Sequence, residues 1–535
     1  MEGVFLDESR IARERARGVW PERVATDYLD RWVAQKPEAT ALVAWRLEEE
    51  IETRFTYREL AARVAGAAAA LERAGVKQGD VVSIQLPNWW QFVVLYLATV
   101  RLGAVANALM PIFRHRELSF MLRQADARVF IAPERFRGFD HGTLSRQLAA
   151  EIPGMALLTL ESIDKEETAA FQRGARLQPN DITQLLYTSG TTGESKGVLH
   201  TSNTLLGAVQ SFAAHMKLGS KDVVFMPSPL AHQLGFCYGM LMPLVLGVPL
   251  VLTDVWRAPR AAQLIESNGA TFCFAATPFL ADLVERNTSL GRMRLFASSG
   301  TTIPPAVVEA AREKLGIAVA ASWGMTECAS VTITPPDGSR ADSSDGRALP
   351  NGEVRIVGDE GRELARGEIG ALQVRGASLF VGYLKRPHLY QHAIGPDGWF
   401  DTGDLARMDE EGYIRICGRS KDVIIRGGEN IPVVEVEAAL YRMPQIADAA
   451  LVAMPDPRLQ ERACAFVTLK PGQTLDLGAI ASHLGSEGFT KHFWPERLEV
   501  LAEMPRTPTG KIQKFVLRGI AKDLRPEPGT SVKAA

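Results

Sequence analysis

The chain has 535 residues, and 60 Lys and Arg nearly balance 62 Asp and Glu for a formal net charge of −2. That length holds at least two domains with ample core, and 46% hydrophobic and 23% charged residues exclude disorder, coiled coil and collagen. The even charge balance leaves no basic footprint for nucleic acid and no polybasic membrane anchor.

At the N-terminus, Arg10, Arg13, Glu14, Arg15 and Arg17 stand where a signal peptide needs an apolar run, so no leader is expected. Residues 22–75 mix helical patterns with a strand pair at 40–45 and 52–56. A buried strand is predicted at 81–86 and an apolar helix at 89–102. Strand-like apolar runs then recur between helices, at 129–132, 156–160, 185–188, 223–225, 249–252, 270–275, 295–298 and 318–322. Such alternation predicts α/β layers with mainly parallel sheets. From 225 to 253 only His232 could carry charge. A membrane span needs about 20 unbroken residues, and Pro243, Gly247 and Pro249 interrupt this run. It is read as a buried helix at 234–246 followed by a strand, with no transmembrane segment.

The texture changes after about 346. Short strands at 354–357, 371–375, 413–417 and 422–425 with Gly-rich turns predict a small β subdomain over about 346–418. A helix at 433–442, strands at 449–454 and 463–469 and a helix at 477–484 then predict an independent α+β domain. The expected division is an N-terminal domain at 1–418 and a C-terminal domain at 419–535. The five cysteines, Cys237, Cys273, Cys328, Cys417 and Cys464, are scattered without a C-x-x-C pair. They form neither a disulfide framework nor a zinc site, and they fit a reducing, cytoplasmic setting.

The strongest local signal is Tyr187-Thr-Ser-Gly-Thr-Thr-Gly-Glu-Ser-Lys-Gly-Val198, directly after an apolar strand. Gly190, Gly193 and Gly197 permit turns in which successive N–H groups face an anion. Thr188, Ser189, Thr191 and Thr192 add hydroxyls, and Lys196 adds a point charge. A polyphosphate suits such a loop, although an ordinary surface loop has a similar composition. It is not a Walker A loop, because Ser195 precedes the lysine and Gly197 follows it.

Four further motifs follow in order: Ser322-Trp-Gly-Met-Thr-Glu327, Gly398-Trp-Phe-Asp-Thr-Gly-Asp404, Gly418-Arg-Ser-Lys-Asp-Val423 and Pro505-Arg-Thr-Pro-Thr-Gly-Lys511. Together with the glycine-rich segment they resemble the adenylate-forming superfamily of acyl-CoA synthetases, peptide-synthetase adenylation domains and firefly-type luciferases. The resemblance runs from about 25 to 518. It implies a large N-terminal domain binding ATP and the acyl group, a smaller mobile C-terminal domain, and the co-substrates ATP and coenzyme A with Mg²⁺.

Residue by residue, the resemblance gives Thr188 to Gly193 and Lys196 the phosphates, and Ser299, Gly300 and Thr301 a small-residue loop under the adenine. Trp323 matches the aromatic against adenine, Thr326 the α-phosphate hydroxyl, and Glu327 the carboxylate holding the metal. Asp404 matches the acceptor for the ribose hydroxyls and Arg419 a donor to the same ribose. Lys511 matches the catalytic lysine, Lys421 the hinge, and Gly428 the small residue lining the pantetheine tunnel. Without that context Trp323 reads as core, Asp404 as a turn residue and Lys511 as an exposed loop lysine. The family usually has Pro before the loop lysine where this chain has Ser195, which implies altered loop mobility.

His232, in the run Pro229-Leu-Ala-His-Gln-Leu-Gly-Phe236, matches the flank of the carboxylate channel, with Phe236, Ala329 and Trp256 as pocket candidates. An apolar pocket suits an uncharged acid. The resemblance is nearest to cyclohexanecarboxylate-type and medium-chain acyl-CoA ligases, with an alicyclic acid first, medium-chain fatty acids second and aryl acids third. An acyl-AMP ligase loading a carrier protein, a luciferase-like oxidoreductase and a non-catalytic nucleotide binder are the rival readings. The expected partners are small molecules alone, and a homodimer is the commonest assembly for a protein of this kind.

Overall fold

The computed structural model describes residues 1–164, 177–188, 195–300, 303–358, 361–426, 429–506 and 512–526. The chain divides into two compact units. The first comprises Met1–Val354 and Val374–Phe400, the second Arg355–Gln373 and Asp401–Ala535.

Two sheets organise the first unit. The nine-stranded sheet runs in the order Arg347–Ala348, Ala329–Ile333, Ala318–Met325, Leu295–Ser298, Phe272–Ala275, Val224–Met226, Leu250–Thr253, Thr40–Arg46 and Ile51–Thr56. Its pairings from Ala318–Met325 across to Thr40–Arg46 are parallel, and the outer ones are antiparallel. The seven-stranded sheet runs Gly382–Tyr383, Lys196–Thr201, Ile182–Thr188, Val105–Ala108, Val81–Ile84, Ala127–Ile131 and Ala156–Leu158.

Side-chain alternation shows how these sheets are covered. In the nine-stranded sheet Val43, Phe225, Val251, Cys273 and Phe296 face one apolar cluster with the helices Ala258–Ser267, Thr277–Arg286 and Pro305–Leu315. Leu42, Val224, Leu250, Phe272 and Leu295 face another, which they share with Val82, Ile84, Ala106 and Val129 of the seven-stranded sheet. Between the sheets lie Tyr57–Arg73, Trp90–Arg101 and Ser202–His215. The other face of the seven-stranded sheet is covered by His115–Gln124 and His141–Glu151. Strands covered on both faces read as continuous apolar runs, which is why so many were visible in the sequence.

The apolar run after His232 forms a π-helix, Gly235–Leu241, continued by a short α-helix, Met242–Leu246. The amide of Met242 reaches back five residues to the Cys237 carbonyl. Gly247 closes the helix at φ +69°. Among the described residues no helix is long and apolar enough to cross a membrane.

The second unit holds most of a four-stranded sheet in the order Gly352–Val357, Gly370–Gly376, Phe400–Met408 and Ile414–Arg419. It also holds a sheet built on Glu429–Ile431, Ile424–Arg426, Gln460–Leu469 and Ile446–Asp456, with Arg497–Val500 parallel to Gln460–Leu469. Helices Val433–Tyr441 and Leu477–Ser486 cover one face of that sheet, and Lys514–Ala521 the other. Arg426, 1% exposed, donates to Glu496 and to the His492 carbonyl at 2.7 Å each. Arg462 joins Glu496 to Asp456. This buried ion cluster fixes the strand that ends at Arg426.

Candidate functional site

Parallel strands present their carboxyl ends on one side of a sheet, where loops are free to bind ligands. In the nine-stranded sheet Leu295–Ser298 is followed by Ser299 and Gly300, and the neighbouring Ala318–Met325 carries Trp323 and is followed by Thr326 and Glu327. The next strands along, Phe272–Ala275 and Val224–Met226, follow in the same direction, and the latter leads to the segment holding His232.

The segment 322–330 is sharply folded. Ala318–Met325 pairs antiparallel with Ala329–Ile333, with a register shift between Trp323 and Gly324. A β-carbon on Gly324 would lie 2.0 Å from the Ala329 carbonyl oxygen, so only glycine fits there. Ala329 itself takes φ +54°. Trp323 is 8% exposed and Glu327 5%. The Ser322 hydroxyl donates to the Thr332 carbonyl at 2.9 Å.

Two paired strands flank the glycine-rich segment. Ile182–Thr188 pairs antiparallel with Lys196–Thr201, and Thr188 lies opposite Lys196. Ser189, Gly190, Thr191, Thr192 and Gly193 lie outside the described residues, as do Thr301, Gly428 and Lys511. His200, on the returning strand, is fully buried; its Nε2 lies 2.8 Å from the Thr326 carbonyl and its Nδ1 3.0 Å from the Thr204 hydroxyl. Since a carbonyl only accepts, Nε2 carries the proton. Burial pushes His200 down to about 4, so the imidazole is neutral at physiological pH.

Tyr383 touches two of the expected site residues. Its hydroxyl donates to Glu327 Oε1 at 2.9 Å, and its ring centroid lies 5.1 Å from Lys196 Nζ. Burial, then the neighbouring Glu327 charge, raise its pKa, so the hydroxyl remains a donor.

At the apolar end, Asn88 accepts from the Leu230 amide at 2.8 Å and donates to the Ser228 carbonyl at 2.9 Å. It pins the turn before His232, which is half-buried. Phe236 is fully buried and meets Tyr96 edge-on at 4.8 Å. Tyr238, on the same helix, accepts from the Ser330 amide at 2.9 Å, tying this helix to the strand after Glu327. Trp256 packs instead against Phe279 and donates to Asp282.

In the second unit Asp404 and Arg419 are paired residues of adjacent strands, with Arg419 Nε 2.8 Å from Asp404 Oδ1. Asp404 is 6% exposed. Lys421 lies in a short 3₁₀ turn, Ser420–Asp422, directly after that strand.

Compared with known families, residues 29–384 match the AMP-binding enzyme model and 435–511 the AMP-binding enzyme C-terminal domain. The chain belongs to the AMP-binding enzyme family. Among the relatives of this AMP-binding enzyme is the medium-chain fatty-acid–CoA ligase of Escherichia coli K12, 34% identical over 533 residues, with 96% of this chain and 93% of the relative covered. A salicylyl-CoA synthase/salicylate adenylyltransferase from a Streptomyces species is 32% identical, with 95% of each chain covered. The structure of o-succinylbenzoate–CoA synthetase of Bacillus subtilis with ATP and magnesium superposes with a TM-score of 0.84 at 26% identity, covering 94% of this chain and all of that one. The adenylate-forming fold expected from the motifs is therefore the fold of this chain.

Three residues around the candidate site belong to none of the sequence motifs. Asn88, His200 and Tyr383 act on partners 142, 126 and 56 positions away. A buried His or Asn among apolar residues was the one trace that could have pointed to the first two.

Proposed function

We propose that this chain is an AMP-forming acid–CoA ligase, converting a carboxylic acid to its acyl-CoA through an acyl-adenylate with release of pyrophosphate and AMP. The observation carrying this reading is that one tyrosine bridges Lys196, of the glycine-rich motif, and the buried Glu327. A cation for phosphate oxygens and a hard-oxygen ligand are thereby held together.

Glu327 fits Mg²⁺ by its chemistry. Among the described residues no group of three or more His, Cys, Asp or Glu could cage a metal, and Mg²⁺ commonly takes one or two carboxylates with the substrate's own phosphates. Bound there, Mg²⁺ would neutralise charge on the triphosphate. The glycine-rich segment and Lys196 hold the phosphates, and Thr326 contacts the α-phosphate. Trp323 and the loop at 299–301 receive adenine, while Asp404 and Arg419 serve the ribose. The substrate carboxylate, flanked by His232, attacks the α-phosphorus as pyrophosphate leaves. It is already a nucleophile, so positioning and charge neutralisation supply the catalysis, with Lys511 as the donor to the developing charge. In the second step the CoA thiol loses its proton, forms the thioester bond at the acyl carbonyl and expels AMP. Gly428 leaves room for the pantetheine arm, and Lys421 is the hinge between the two steps.

For the acid, Phe236 and Ala329 and the wholly buried helix beside them support an uncharged, apolar substrate. An alicyclic acid of the cyclohexanecarboxylate type leads. Medium-chain fatty acids are the second reading, supported by the likeness to the Escherichia coli ligase.

The test is AMP formation from MgATP with and without CoA, over acids from butyrate to palmitate plus cyclohexanecarboxylate and benzoate. CoA-dependent AMP release peaking at the cyclic acid is expected; a peak at C6–C10 moves the assignment to the second reading. Pyrophosphate release without a CoA thioester overturns the ligase reading in favour of a carrier-protein acceptor.

A further inference from the structure

The segment 380–384 holds Glu327 at both its backbone and its side chain. The Phe380 amide donates to the Glu327 carbonyl at 2.7 Å, and the Tyr383 hydroxyl to the carboxylate at 2.9 Å. The same segment is bonded to the strand carrying Lys196: the Val381 amide donates to the Leu199 carbonyl at 2.9 Å and the Leu384 amide to the Gly197 carbonyl at 2.8 Å. Tyr383 is 2% exposed, so neither its ring nor its hydroxyl is free to reorient. A glutamate side chain has three rotatable bonds, and a metal ligand needs one orientation. A fixed donor on one oxygen selects it, as groups behind metal ligands commonly do.

We infer that Tyr383 is a positioning residue, which aims the Glu327 carboxylate at the metal and holds it in register with Lys196 on the phosphate strand. This rests on the assignment of Glu327 to the metal and Lys196 to the phosphates. Tyr383 touches neither nucleotide nor acid in this role. Its loss should therefore weaken metal binding while leaving the Michaelis constant for the acid unchanged.

The experiment measures Mn²⁺ affinity by paramagnetic resonance in the complex of the full chain with α,β-methylene-ATP, for native protein, Y383F, Y383H and E327Q. Melting curves of each accompany it. Y383F is expected to bind Mn²⁺ about tenfold more weakly at a near-native melting midpoint, and its half-saturating Mg²⁺ for pyrophosphate release should rise in parallel. Y383H, which keeps a ring and a donor, should recover part of that loss. Native-like Mn²⁺ affinity in Y383F alongside a large loss in E327Q overturns the positioning role alone. Native-like affinity in E327Q overturns the metal assignment and the inference with it. If Y383F does not fold, native-like affinity in a folded Y383L, which lacks both ring and donor, overturns the inference.

Discussion

Ala329, two residues beyond Glu327, holds a left-handed backbone at φ +54°, which costs a residue with a β-carbon about 1 kcal/mol. Ala329→Gly should therefore raise stability by about that amount in urea unfolding, whereas Ala329→Val should lower it by more than the same amount. Buried histidines make a second residue-scale prediction. His141 and His200 lie at about 4 in the fold, pushed down chiefly by burial, against about 6.5 in an unfolded chain. Between those values the unfolded chain binds more protons, so the stabilisation is complete above pH 6.5 and shrinks as pH falls toward 4. Each histidine should cost about 2 kcal/mol by pH 5. Urea midpoints at pH 7 and pH 5 check this, and His200→Gln, which keeps a donor for the Thr326 carbonyl, should remove its share of the difference. At this scale the sequence draws the eye to residues in dense local strings, such as Lys196 and Glu327, which Tyr383 joins in the structure. It could not disclose Tyr383 or His200, whose partners are chosen by sheet pairing far along the chain.

Elements explain which local readings succeeded. The apolar strands Val81–Ile84 and Leu295–Ser298 are covered on both faces and were plain in the sequence. Phe400–Met408 was not, because Gly403 at φ +71° breaks the look of a strand, although burial alternates along its length. Asp404 consequently read as a turn residue when it is a strand residue paired with Arg419. The returning strand Lys196–Thr201 was likewise absorbed into the loop reading, since it opens with Lys196 and Gly197. Gly235 gives an element-scale test. A β-carbon there would lie 2.1 Å from the Pro229 carbonyl oxygen, so Gly235→Ala should cost about 1–3 kcal/mol and disturb the turn at His232. A lowered denaturation midpoint together with a raised KM for the acid is the expected pair of readings. Phe236→Ala should cost about 3–5 kcal/mol and shift the acid preference toward bulkier substrates in the same acid panel.

At the scale of the whole molecule, the layered α/β architecture was legible because alternating strand and helix signals dominate the first 320 or so residues. The unit boundary is subtler: residues 355–373 belong to the second unit and 374–400 to the first, an interleaving that composition along a chain cannot express. Two substitutions should separate the two steps of the proposed reaction. Lys511→Ala is expected to slow adenylation about 10²–10³-fold while sparing CoA transfer from presynthesised acyl-AMP, and a bulky residue at Gly428 should do the reverse. Single-turnover assays of each half-reaction decide this. The π-helix at Gly235–Leu241 bears on how such an enzyme diversifies. Each of its turns holds about one residue more than an α-turn, so deleting one residue there could return the segment to ordinary pitch with both flanks still in place. Phe236 and its neighbours would swing by about a quarter-turn while the two sheets kept their register. Descendants could thus acquire new acid preferences by a single-codon deletion or insertion, a coarser and faster route than point substitution along the pocket wall.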